Sequence, residues 1–140
     1  MSGPELIFAT AALSALRAVE DGRAVEAGQE TSASNAERDA AIAAQRGETN
    51  ANEARRRGSA RQATQRARLA HAGADAAGTP LDLQGQISAE AEFDALRRAD
   101  AGNLTALNQL TRAQAFRRRG AAVRRAGLFE AGATLLGGLR

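Results

Sequence analysis

Two runs of three adjacent arginines, Arg55-Arg56-Arg57 and Arg117-Arg118-Arg119, are the residues of this sequence best equipped for chemistry. Each run is followed by a glycine (Gly58, Gly120) and, two positions later, by an alanine (Ala60, Ala122). A guanidinium stays charged under all conditions and presents a planar fork of donors that fits a phosphate or a carboxylate. Three successive arginines on a helix fan over about 200°, so one carboxylate cannot satisfy all of them. Two readings stay open. One is contact with an acidic partner surface or with DNA phosphate, independent of base sequence because no aromatic residue is interleaved for stacking. The other is a solvated face whose ion pairs contribute only ~0.2–1 kcal/mol each. All 19 basic residues are Arg, yet Ala, Arg and Gly together make up 69 residues, a bias that GC-rich coding produces by itself.

Catalytic chemistry finds no such candidates. There is one histidine, His71, on a polar stretch, and there is no cysteine. Glu90 and Glu92 are two positions apart and point in different directions on a helix. No Glu-x-x-His pairing and no glycine-rich phosphate-binding motif occurs. A nucleophile, a base and an orienting group cannot be assembled. The sequence therefore predicts a protein that is not an enzyme, with no catalytic residue, no cofactor and no metal site.

The elements that must carry the arginines are helices. Ala contributes 36 of the 140 residues, whereas Leu, Ile, Val and Phe together contribute 24. That is too little bulk for a sandwich, a barrel or a doubly wound sheet, and it lies in the range where disorder is suspected. The expected fold class is all-α: an elongated Ala-rich helical hairpin with a short N-terminal helix, ordered by oligomeric assembly. Between residues 26 and 80 the large aliphatics are Ile42 and Leu69. Such a stretch has high helix propensity but buries too little to fold alone, so the free chain is expected to be only partly ordered.

The expected boundaries run as follows. Residues 1–25 form an apolar N-terminal helix bearing Leu6, Phe8 and Leu13, too short in its uncharged part to span a bilayer and flanked by Glu5 rather than by a basic leader. Residues 26–34 are a linker loosened by Gly22 and Gly28, and 35–72 are a long Ala/Arg/Glu helix in which Glu53 can pair with Arg57. Residues 73–82 are the hairpin turn: Gly73 ends the first helix, Gly78 opens the loop, and Thr79 with Pro80 restart the chain as cap and first helical residue. Residues 83–126 form a second long helix with Leu83, Ile87, Phe93, Leu96, Leu104, Leu107, Leu110, Phe116 and Val123 along one face.

Residues 127–140 are a Gly-rich apolar end. Leu128, Phe129, Leu135, Leu136 and Leu139 stand there among small residues, a pattern suited either to docking or to a membrane interface. Charge is arranged in blocks along the whole chain. Residues 1–54 carry 4 Arg and 9 acids, 55–80 carry 6 Arg and 1 acid, 81–111 carry 2 Arg and 5 acids, and 112–140 carry 7 Arg and 1 acid. Alternation of this kind suits antiparallel pairing of the chain with itself or staggered pairing with copies.

The stretch from Leu69 to Leu139 resembles the small internal virion proteins, or DNA-ejection proteins, of short-tailed bacteriophages. The resemblance rests on LAHAGADAAGTPLD, on ISAEAEFDAL, and on an Arg/Ala helix ending in LFEAGATLLGGL. It implies a structural virion protein packed as a homo-oligomer inside the capsid near the portal vertex. Its implied partners are the portal and other virion proteins, with non-specific contact to genomic DNA and contact with the host membrane after ejection. On infection it would leave with the genome and assist DNA passage across the host envelope. A head–tail adaptor or other portal-associated protein, a scaffolding protein, a DNA-condensing protein and an interfacial membrane peptide remain open as alternatives.

Overall fold

The computed structural model describes residues 3–71 and 79–137. They form two helices, α1 (Gly3–His71) and α2 (Thr79–Gly137), and no strand occurs among the described residues. The helices pack against each other as a hairpin. They contribute to two compact units, Met1–Arg38 with Gln109–Arg140, and Asp39–Asn108.

The N-terminal part of the chain departs from expectation. No short first helix and no linker at 26–34 are present, because α1 runs unbroken from Gly3 to His71. The Thr31 and Ser32 hydroxyls do not cap a new helix. They donate back to the carbonyls of Ala27 and Gly28, both at 3.0 Å, which lets polar β-hydroxyl residues sit inside a helix with their donors satisfied. Thr49, Thr64, Thr105 and Thr134 do the same four residues upstream. Likewise no loosened segment begins at residue 127, since α2 continues to Gly137. At the turn, α2 opens at Thr79 with Pro80 behind it, as the restart signals predict. The expectations for Gly73 and Gly78 fall outside the described residues.

In the unit of residues 39–108 the packing face is built from the smallest side chains. Ala40, Gly47 and Ala54 recur at seven-residue steps along α1, joined by Ala51 and Gly58, and all five are buried. From α2 they meet Ala95, which is fully buried, half-buried Ala99 and Gly102. A seven-residue repeat keeps one seam of a helix facing its partner. The closest point is Gly47 against Gly102. A Cβ placed on Gly47 would lie 2.8 Å from the Gly102 Cα, and one on Gly102 would lie 2.6 Å from the Gly47 Cα. Gly58 faces Ala91 in the same way. Since Gly47 meets Gly102 and Gly58 meets Ala91, the helices run antiparallel here.

In the other unit, Ala33 and Ala36 of α1 close over Ala113 of α2, with Phe116 packed against them as the large contributor. Gly120 opposes Gln29, and Gly22 lies on the α2 backbone at Arg124 and Gly127. Gly120 and Gly127 therefore do not loosen the chain, as their type suggests; both are buried in the seam. A Cβ on Gly127 would approach the Ala18 carbonyl oxygen to 2.8 Å.

The large residues are arranged in the opposite sense. Of the expected apolar face of α2, Ile87 and Phe116 are half-buried, while Leu83, Phe93, Leu96, Leu104, Leu107, Leu110 and Val123 are exposed. Among the described residues no large side chain is fully buried. Each buried methyl-sized group stabilises by about 0.8 kcal/mol, whereas ordering one residue costs about 1–2 kcal/mol of backbone entropy. The seam sets register more than it supplies stability.

Candidate functional site

The two arginine triplets occupy equivalent places in their respective units. In each, the first arginine reaches across the hairpin to a glutamate, and the glycine three positions later lies in the seam beside it. Arg55 binds Glu92 with both branches of its guanidinium, Nε to Oε2 at 3.0 Å and Nη2 to Oε1 at 2.9 Å. Arg117 is shared: its Nη1 donates to Glu37 Oε1 at 2.6 Å, and its Nε and Nη2 donate to Glu30 Oε1, both at 3.2 Å. The pairing follows from sequence spacing. Glu30 precedes Arg55 by 25 positions, and Glu92 precedes Arg117 by the same 25. In an antiparallel hairpin, that repeat brings each acid opposite the other triplet.

Hydrogen bonding from Arg55 holds the Glu92 carboxyl below its ordinary range against a smaller opposing effect of burial. The same bond, with the charge of Glu92, raises Arg55. Arg117 is raised first by its bond to Glu37 and then by Glu30. All these side chains remain substantially exposed, so the bridges align the helices rather than form a buried ionic core.

The other arginines of the triplets divide. Arg57 pairs along its own helix with Glu53 at 2.9 Å, the pairing the spacing predicts. Arg56, Arg118 and Arg119 are exposed and form no ion pair among the described residues. Of the six arginines of the triplets, three are therefore paired within the chain and three are not, among the described residues. Arg55 and Arg117 are engaged across the hairpin, and Arg57 is engaged along its own helix. Reading the triplets alone missed Glu30, Glu37 and Glu92; the shared 25-residue spacing was the signal that locates two of them.

The apolar residues expected to dock or to meet a membrane face outward where they are described. Leu13, Leu128, Leu135 and Leu136 are exposed, and Phe129 is 79% exposed. Leu6 and Phe8 belong to α1, with side chains outside the description, and Leu139 lies outside the described residues. No described helix is long and apolar enough to cross a membrane. His71 stands exposed in the last turn of α1. Among the described residues no group of three or more His, Cys, Asp or Glu could hold a metal ion. The clefts between the helices are grooves, such as that between Ser14, Asp21, Gly22, Val123 and Glu130.

No family model, curated protein or solved structure matches the chain.

Proposed function

We propose that this chain is a structural, non-catalytic component of a tailed-phage particle, packed in several copies inside the capsid at the portal vertex. It leaves with the genome and assists DNA passage across the host envelope. The observation that carries the reading is the inverted distribution of size: alanine and glycine fill the hairpin seam, and leucine and phenylalanine face outward. Exposed apolar surface on this scale fits a part designed to be covered by neighbours. The resemblance of residues 69–139 to internal virion proteins supports the same role. Arg56, Arg118 and Arg119 supply the charge for genome phosphate or an acidic neighbour. Leu128, Phe129, Leu135 and Leu136 supply the apolar side of an end that docks in the particle and meets lipid after release.

The test is quantitative mass spectrometry of purified particles before and after triggered genome release. The reading expects the chain in full particles and its loss from emptied ones. A chain retained after release is a head–tail adaptor or portal-bound protein instead, and a chain absent from mature particles is a scaffolding protein or no virion component.

A further inference from the structure

Within the unit of residues 39–108, the outward side of α2 carries Phe93, Leu96 and Leu104, exposed by 60%, 50% and 62%. Two charges stand in the same row, Arg97 and Asp100. The neighbouring charges are already taken: Arg98 binds Asp94 at 3.0 Å, and Glu92 binds Arg55. Arg97 and Asp100 form no ion pair among the described residues. Arg97 instead lies over the Phe93 ring, 4.8 Å from its centroid, which keeps its guanidinium in the apolar row.

The order of these residues is self-complementary. Phe93, Arg97, Asp100 and Leu104 follow at steps of four, three and four, which places them on one face of the helix. The steps and the chemistry are symmetric about the midpoint between residues 98 and 99. A second copy of α2 laid antiparallel on this face puts its Leu104 across from Phe93 and its Asp100 across from Arg97. The two-fold then repeats both contacts, as an isologous interface requires. The outcome is two Phe–Leu layers enclosing two reciprocal Arg–Asp bridges. One step further out, the same two-fold sets Glu90 opposite Leu107 at the end of the arrangement.

From this match of apolar layers and opposite charges we infer that the Phe93–Leu104 face of α2 is a homotypic interface, occupied by the same face of a second copy of this chain. The inference names a surface for the self-association contained in the proposed function. It is tested on purified protein, so a failure of the virion location leaves it standing.

The experiment is sedimentation of the full chain over a concentration series, with circular dichroism confirming equal helix content in every variant. The wild type is expected to associate reversibly. Arg97→Asp and Asp100→Arg, each placing like charges across the two-fold, are expected to weaken association by at least about tenfold. The double variant Arg97→Asp/Asp100→Arg restores both bridges with reversed polarity, and its association is expected to return toward the wild-type value. Leu104→Ser weakens association without reference to charge, whereas Ile42→Ser, at an exposed apolar residue of α1 outside the row, leaves it unchanged. A wild type that stays monomeric throughout the series overturns the inference. So does an association untouched by the single reversals, or single reversals that weaken it without recovery in the double variant; in those two cases self-association itself survives and only this face is lost.

Discussion

The two sides of α2 in the unit of residues 39–108 differ in the size of the side chains they carry. Toward α1 stand Ala95, Ala99 and Gly102, so small that backbone meets backbone at Gly47. Away from α1 stand Phe93, Leu96 and Leu104, each at least half exposed. In an ordinary two-helix pair the large residues would turn inward, because apolar burial is the dominant favourable term. Here close approach has been chosen for the inner side, and the bulk is left for another surface. The difference teaches that register and stability are supplied by different faces: glycine and alanine fix how α1 meets α2, and the leucines and phenylalanines wait for contact outside the hairpin.

The comparison breaks most visibly at Gly102. Gly102→Leu drives a side chain into the Gly47 backbone and is expected to destabilise by about 2–3 kcal/mol or more, the range for overpacking. Gly85→Leu, at a glycine with nothing within 4 Å, is the matched control and loses none of this in thermal unfolding followed by circular dichroism. Truncation sharpens the comparison next. Phe116→Ala removes the large side chain that packs on Ala33, Ala36 and Ala113. It is expected to cost about 1–3 kcal/mol, below the value for a fully buried phenylalanine because Phe116 is half-buried. Phe129→Ser, on the outward side, is expected to change chain stability by no more than about 0.5 kcal/mol.

Glycine-to-alanine substitutions should split by sign. At Gly28 and Gly132, with open space around the missing Cβ, alanine is expected to stabilise by about 0.5–1 kcal/mol through helix propensity. At Gly58, where the added methyl meets Ala91, the gain is reversed. The smallest effect is electrostatic. The Glu92 carboxyl is lowered in the folded chain by Arg55. Its contribution is therefore complete above the ordinary glutamate range, near 4.3, and fades as pH falls through the lowered value. Glu92→Gln is expected to flatten that part of the acid-unfolding curve while leaving the curve above neutral pH unchanged in shape.

Much of the fold was legible in the sequence. Thr79 and Pro80 announce the start of α2, Ala content announces helices that can approach closely, and the alternating charge blocks announce antiparallel pairing. The missed features share one physical cause. Glycine reads as a breaker at Gly22 and Gly28, although a helix held by its partner tolerates glycine, and a seam this close requires it at Gly127. Thr31 and Ser32 fall in the expected linker, although inside a helix their hydroxyls are satisfied four residues back. Bulky residues were read as the packing face because size signals burial in most helices, and here the signal is inverted. The arginine triplets were legible as charge but not as bridges, since Glu30 and Glu92 gain meaning only once the antiparallel register is known.

That register is the central claim, and a disulfide tests it most directly because the chain has no cysteine of its own. Gly58→Cys combined with Ala91→Cys places two thiols at facing seam positions, near enough to bond once the helices ease apart to the ~3.5–4.5 Å Cβ separation that a disulfide takes. Gly58→Cys combined with Phe93→Cys places the second thiol on the outward side. Mild oxidation at high dilution, read by mass spectrometry, is expected to give an intramolecular disulfide in the first pair and none in the second. Equal intramolecular crosslinking of both pairs, or none in the first, would contradict a hairpin whose small residues face inward and whose large residues face out.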